Sequence, residues 1–172
     1  IESNFDLTVG MRINPSQTLT KSYYGSVLAR DTMISVLNWA PSVSFKYKFG
    51  KKEFARIWYR GNSSQPSVTQ MEPVRNNSNA LQETVGNLGL KPAFRHRLRV
   101  MYSKYNQDKM WSLMSGIFGT LTKDALVNNS IYDQTGKLYS QTVNANALPW
   151  NITGDVMFNT PFANKLLQFN TR

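Results

Sequence analysis

Apolar and polar residues alternate one for one along most of this chain. "NFDLTVGMRI" puts Phe5, Leu7, Val9, Met11 and Ile13 on one side and Asp6, Thr8, Gly10 and Arg12 on the other. "PSVSFKYKF" does the same with Val43, Phe45, Tyr47 and Phe49 against Ser42, Ser44, Lys46 and Lys48. Successive side chains of a β-strand point to opposite faces, so a period of two predicts strands with one apolar and one polar face. "EFARIWYRG" is less clean, with Ala55, Ile57 and Tyr59 against Phe54, Arg56, Trp58 and Arg60; in "MWSLMSGIFGTL" Met114 and Phe118 blur the polar face. "FRHRLRVMY" sets Phe94, Leu98, Val100 and Tyr102 against Arg95, Arg97 and Arg99, and "WNITGDVMF" sets Trp150, Ile152, Val156 and Phe158 against Asn151, Thr153 and Asp155.

Seven strands are predicted, over 4–13, 37–49, 53–62, 93–105, 110–122, 148–159 and 165–171. Their connections alternate in length. "FGKKEF" and "YNQDKM" are tight turns with Gly50 and Asn106 as turn residues, and "NTPFANK" is nearly as short. Between them lie long polar connections: Asn14 to Ser35, Gly61 to Lys91, and Lys123 to Leu148. The last contains "GKLYSQTVNA", read as a possible hairpin. Outer-membrane barrels show this rhythm, with short turns on one side and long loops on the other, joining segments of about 10 residues. Aromatics at strand ends (Tyr47, Phe49, Tyr59, Tyr102, Tyr105, Trp111 and Trp150) suit the interfacial girdles of such barrels.

Composition narrows the chemistry. The 172 residues hold 20 Lys and Arg against 10 Asp and Glu, one His and no Cys. The net charge of +10 calls for anionic surroundings. Without cysteine there is no disulfide framework and no thiolate metal site, and one histidine builds no metal cluster. The scattered carboxylates give no acid–base pair, and His96 sits between arginines on a strand, so no enzyme and no cofactor are expected. No run of about 20 apolar residues offers a transmembrane helix.

The loop between the third and fourth strands carries a pattern in Pro66, Ser67, Gln70 and Pro73, followed by Gly86, Asn87, Leu90, Lys91 and Pro92. With the strands around it, Pro41 to Asn106, it resembles the TonB-dependent-receptor-like outer-membrane β-barrel family. In that family an aromatic-ended strand and a short turn lead to R-x-S-x-x-P-S-x-x-Q-L-x-P and then G-N-P-x-L-K-P-E. Leu88 stands here where the family has proline, and Ala93 where it has glutamate. The resemblance implies a barrel of about 22 strands in the bacterial outer membrane. It also implies a plug domain of its own, an inner-membrane energy-coupling partner, and uptake of a nutrient or other solute. Seven strands fall short of the eight in the smallest such barrels, and the chain ends Thr171-Arg172 without an aromatic. The expectation is therefore all-β, an antiparallel meander: residues 1–172 form one internal segment of a larger transmembrane barrel, with plug and remaining strands outside it.

In that frame Arg12, Lys46, Lys48, Arg56, Arg60, Arg95, Arg97 and Arg99 form a lumen-facing basic wall, while the apolar faces meet outer-membrane lipid. His96 falls on the apolar side near the loop end. Two soluble alternatives use the same alternation. A nucleic-acid-binding sheet would use the charge, but it would interleave aromatics with basic residues on one face, and here they mostly segregate, so nucleic acid is not the expected partner. A cell-surface β-sandwich would pack the apolar face on a second sheet.

Overall fold

The computed structural model describes residues 4–24, 27–71, 75–162 and 167–171. Eleven strands and one helical turn follow in the order β1 Phe5–Tyr24, β2 Val27–Gly50, β3 Glu53–Ser64, α1 Val68–Met71, β4 Arg75–Asn79, β5 Gln82–Val85, β6 Ala93–Asn106, β7 Trp111–Lys123, β8 Leu126–Tyr132, β9 Leu138–Asn144, β10 Trp150–Phe162 and β11 Leu167–Thr171. Seven of them form one antiparallel sheet in the order β1-β2-β3-β6-β7-β10-β11. These are the seven strands that the alternation predicts, in chain order, and β1 and β11 are its two edges. The remaining four make a second, smaller sheet in the order β4-β5-β9-β8 at the long-loop end, with a parallel β5–β9 pairing inside it.

The register shows why the faces separate. Phe5 pairs with Tyr47, Val9 with Val43 and Ile13 with Trp39. Tyr59 pairs with Val43 and Leu98, Ile57 with Phe45 and Val100. Leu121 joins His96 to Trp150, and Ile117 lies beside Val100. Every strand therefore contributes its apolar parity to the same side, because directly paired residues share a face. Among the described residues no layer covers that side. Val9 is 71% exposed and Ile152 65%, whereas the buried apolar residues are Leu90, Ala93 and Ala125, at the foot of the smaller sheet. A sheet in water buries its large apolar residues; one that displays them continuously is built for an apolar solvent.

Four expectations need correction. Asn14 to Ser35 is not a polar connection: β1 and β2 continue as a paired ribbon to Tyr24 and Val27, with a register shift at Ser22/Tyr23. The sequence of that stretch lacks the alternation by which its strands would be recognised, although β-branched residues such as Thr18, Thr20 and Thr32 favour extended backbone. Gly61 to Lys91 and Lys123 to Leu148 are likewise structured. The hairpin expected within "GKLYSQTVNA" supplies only its second strand, β9, whose partner β8 lies upstream. Tyr105 leaves the girdle, since it pairs with Ser112 on the polar side. The tight turns stand where expected, with Asn106 Oδ1 accepting from Lys109 N at 2.9 Å. Residues 163–166, the end of the predicted short turn "NTPFANK" and the start of the last predicted strand, lie outside the described residues.

Candidate functional site

The polar face of the large sheet is ordered in cross-strand rows. One row runs Gly10, Ser42, Arg60, Arg97, Thr120, Asn151. The next runs Thr8, Ser44, Trp58, Arg99, Phe118, Thr153, and a third Asp6, Lys46, Arg56, Met101, Gly116, Asp155. Arg95 stands between Asn62 and Thr122, Arg12 beside Ala40, and Lys48 beside Phe54. All eight basic residues of the expected wall thus share one face, and the structure brings them together around β3 and β6.

Their surroundings are poor in counter-charge. The acidic residues on this face, among the described residues, are Asp6 and Asp155. Asp6 lies 3.7 Å from Lys48, an exposed pair of little energetic weight. Asp155 packs toward Gly116, where an added Cβ would stand 3.2 Å from Oδ1. Arg12, Arg56, Arg60, Arg95, Arg97 and Arg99 have no carboxylate in ion-pair range among the described residues. Lys46 instead lies over the Phe54 ring, 4.5 Å from its centre. Recesses open along the face beside Lys46, Lys48 and Phe54, beside Arg12, Ser42, Trp58 and Arg60, and beside Arg95, Arg97, Phe118 and Thr120.

The opposite face carries two aromatic belts. Trp39 and Tyr47, Phe94 and Tyr102, and Trp150 and Phe158 are each eight residues apart on one strand, about 26 Å along the strand axis. On strands tilted by about 35–45° that is a rise of roughly 20 Å, and the ten residues from Trp39 to Phe49 rise roughly 25 Å, the height of the apolar band between the girdles of outer-membrane barrels. At the long-loop end Trp39 stacks on Phe94 with centroids 4.5 Å apart, and Phe94 meets His96 edge-on at 4.7 Å. His96 Nδ1 and the Tyr59 hydroxyl hydrogen-bond at 3.0 Å, which gives the histidine a partner on a face that otherwise lacks one. The lower belt includes Tyr47–Phe49 at 4.9 Å and Trp111–Phe158 at 6.1 Å.

The loop-pattern residues hold loops together. Ser67 and Gln70 form a reciprocal cap on α1: Ser67 N donates to Gln70 Oε1 at 2.9 Å, and Gln70 N donates to Ser67 Oγ at 3.3 Å. Asn87 N donates to Gln70 O at 2.7 Å, and Asn87 Nδ2 to Thr142 O at 3.2 Å. Lys91 N donates to Asn144 Oδ1, whose amide returns a bond to Lys91 O and another to Asp124 O. Gly86 O accepts from Gln141 Nε2, while Pro66, Gly86 and Leu90 are buried and Pro92 is exposed. Pro73 lies outside the described residues. The partners Thr142 and Asn144 carry no sequence signal of their own, since their role depends on a strand 53 or more residues away.

A one-layer sheet with an uncovered apolar face among the described residues, two aromatic belts and a basic opposite face has the form of an outer-membrane barrel wall. The chain belongs to the outer membrane protein beta-barrel family, whose model matches residues 1–171, and its location is the bacterial outer membrane. Among solved structures it is similar to the Serratia marcescens hemophore receptor HasR, a double mutant in complex with its hemophore HasA and heme. That match has a TM-score of 0.61 and 11% identity, over 90% of this chain and 28% of the receptor chain. The likeness is one of fold, and the chain spans under a third of that protein's length. A search of curated proteins gives no match.

Proposed function

We propose that this chain is part of the wall of a non-catalytic outer-membrane receptor that takes up a solute. Its basic face is turned to the wet interior, around the receptor's own plug, and the uptake is driven through an inner-membrane energy-coupling protein. The observation that carries this reading is the register: five arginines of β3 and β6 fall on one side of the sheet and the two aromatic belts on the other. Family membership supports the barrel, and the resemblance of the Pro41–Asn106 stretch to TonB-dependent-receptor-like barrels supports energy-coupled uptake.

These 172 residues hold no cysteine, so introduced cysteines give a direct test once any elsewhere in the full-length receptor are replaced. Single cysteines at Arg97, Thr120 and Thr153, and at Leu98, Gly119 and Ile152, are introduced into the full-length receptor in outer membranes. A small water-soluble maleimide labels the first set, and a lipid-borne quencher reaches a fluorophore on the second. Equal labelling of both sets, or the reversed pattern, overturns the proposal. In cells carrying the receptor, the accumulated solute should also fall when the proton-motive force is collapsed; accumulation indifferent to that force removes the energy-coupled part.

A further inference from the structure

Three features of the basic face go beyond what a solvated wall needs. First, like charges stand directly opposite one another twice, Arg60 against Arg97 and Lys46 against Arg56. Directly opposed like charges destabilise a sheet pair, and no carboxylate relieves the arginines among the described residues. The same face elsewhere uses Ser, Thr and Asn, so charge is not required for wetting. Second, the face carries Trp58, 45% exposed, and Phe118, 38% exposed. They flank Arg99 in one row, Trp58 on β3 and Phe118 on β7, and neither stacks on another ring among the described residues. The other three tryptophans all belong to the apolar parity. Third, the recesses beside Arg60 and Arg97 are floored by small residues such as Ser42 and Thr120.

We infer that Arg60, Arg97 and Arg99, together with Trp58 and Phe118, form a subsite for a planar aromatic polyanion, a ring system bearing two or more carboxylate, sulfonate or phosphate groups. Two strand spacings, from β3 across β6 to β7, and one same-face step give a patch of about 10 by 7 Å, the scale of a few fused rings. The guanidinium forks take the anionic groups in paired hydrogen bonds. The two aromatic side chains take the ring, covering apolar surface that a simple anion would leave wet. The opposed charges then become an asset, since the bound anion neutralises the repulsion that the empty face carries. This deepens the proposed uptake function and rests on the inward orientation of the basic face.

The test uses the full-length receptor in nanodiscs and pyranine, a hydroxypyrene carrying three sulfonates, with inorganic sulfate and a cationic pyrene as comparisons. Pyranine should bind, quench tryptophan fluorescence and raise its own anisotropy; the Trp58→Phe variant should lose the part of the quenching that Trp58 contributes, whereas Trp39→Phe, Trp111→Phe and Trp150→Phe should leave the quenching unchanged. Arg60→Gln and Arg97→Gln should each weaken pyranine about tenfold, and Arg97→Lys should fall between Gln and wild type. Trp58→Leu and Phe118→Leu should weaken pyranine about three- to tenfold and leave sulfate competition unchanged. Folding of each variant is read independently from the alternating cysteine-labelling pattern. Pyranine and sulfate binding alike, with Trp58 and Phe118 without effect, overturns the aromatic subsite. So does no pyranine binding to wild type while the labelling alternation holds, which would mean that carboxylates of the receptor's own polypeptide occupy the arginines. Loss of the alternation itself strikes the proposed function instead.

Discussion

Gly61 sits under the upper aromatic belt with no room to spare. A Cβ there would stand 2.6 Å from Phe94 Cζ and 2.9 Å from Pro41 Cγ, so the Phe94 ring lies flat over the missing side chain and reaches Trp39. Gly61→Val should force that ring off its partner and destabilise the folded barrel by about 1–3 kcal/mol in urea unfolding from vesicles. Gly50→Ala, where nothing lies within 4 Å, should stay within about 0.5 kcal/mol. Outside the membrane, one carboxylate organises the β8–β9 turn. Asp133 Oδ1 accepts from Thr135 N at 2.8 Å, Thr135 Oγ1 at 2.6 Å and Lys137 N at 3.0 Å, with Gly136 at φ +80° completing the reversal. The Thr135 hydroxyl first, then the Lys137 backbone bond, hold the Asp133 carboxyl below its usual pKa of 3.8. A lowered carboxylate pKa means that the turn's extra stability is complete above the ordinary value and is lost as pH falls through the folded one. Hydrogen-exchange protection of the Thr135 and Lys137 amides should therefore hold at about pH 5 and decline below about pH 4. In Asp133→Asn that acid-dependent decline should vanish; an unchanged decline would mean that another group holds the turn.

At the scale of elements, two loops that look independent in sequence behave as one unit. The 65–92 loop and the 124–149 loop share the parallel β5–β9 pairing and the Asn87 and Asn144 side-chain bonds. Asn144→Ala would strand Lys91 N, Lys91 O and Asp124 O, a loss of about 1–3 kcal/mol to the local structure. Both loops should then become sensitive to added protease together, with the thermal stability of the large sheet unchanged; cleavage in one loop alone would show that they are not coupled. The same elements mark the limit of what the sequence shows. The seven long strands and their faces are legible because each has lipid on one side and water on the other, and that contrast writes a period of two. β4, "RNNSN", has no such contrast to record, and β5 finds β9 across more than 50 residues through a parallel ladder that no local pattern announces. Ser67 and Gln70 stood out only as members of the loop pattern; the cap they make on α1 and its tie to Asn87 were not read. Of the candidate site, the basic parity could be read directly; Trp58 and Phe118 showed only as breaks in the alternation, and the opposition of Arg60 to Arg97 depends on register, which a single strand does not carry.

For the whole molecule, the bilayer decides the register. Moving β6 by one residue would turn Arg95, Arg97 and Arg99 toward lipid, and a cationic side chain at the midplane costs about 2–4 kcal/mol. Arg97 and Arg99 flank the centre of the band and each costs about that much, while Arg95 beside the upper belt costs about 0–1 kcal/mol. The sum of roughly 4–9 kcal/mol reaches the stability of an ordinary domain, roughly 5–15 kcal/mol, so the arginines that prepare the wet face for an anion also fix the pairing of the sheet. Leu98 lies midway between Phe94 and Tyr102 on β6, opposite Tyr59 and Gly119, at the centre of the apolar band. Leu98→Arg should lower unfolding free energy in lipid vesicles by about 2–4 kcal/mol. Thr153→Arg, on the wet face beside Phe118, should change it by about 0.5 kcal/mol or less. In a detergent with a loosely ordered shell, the Leu98→Arg loss should shrink, because the guanidinium can draw water to itself. Equal losses for the two variants in vesicles would mean that the two faces do not differ in solvent. The alternation along the chain would then record packing against protein instead of contact with a membrane.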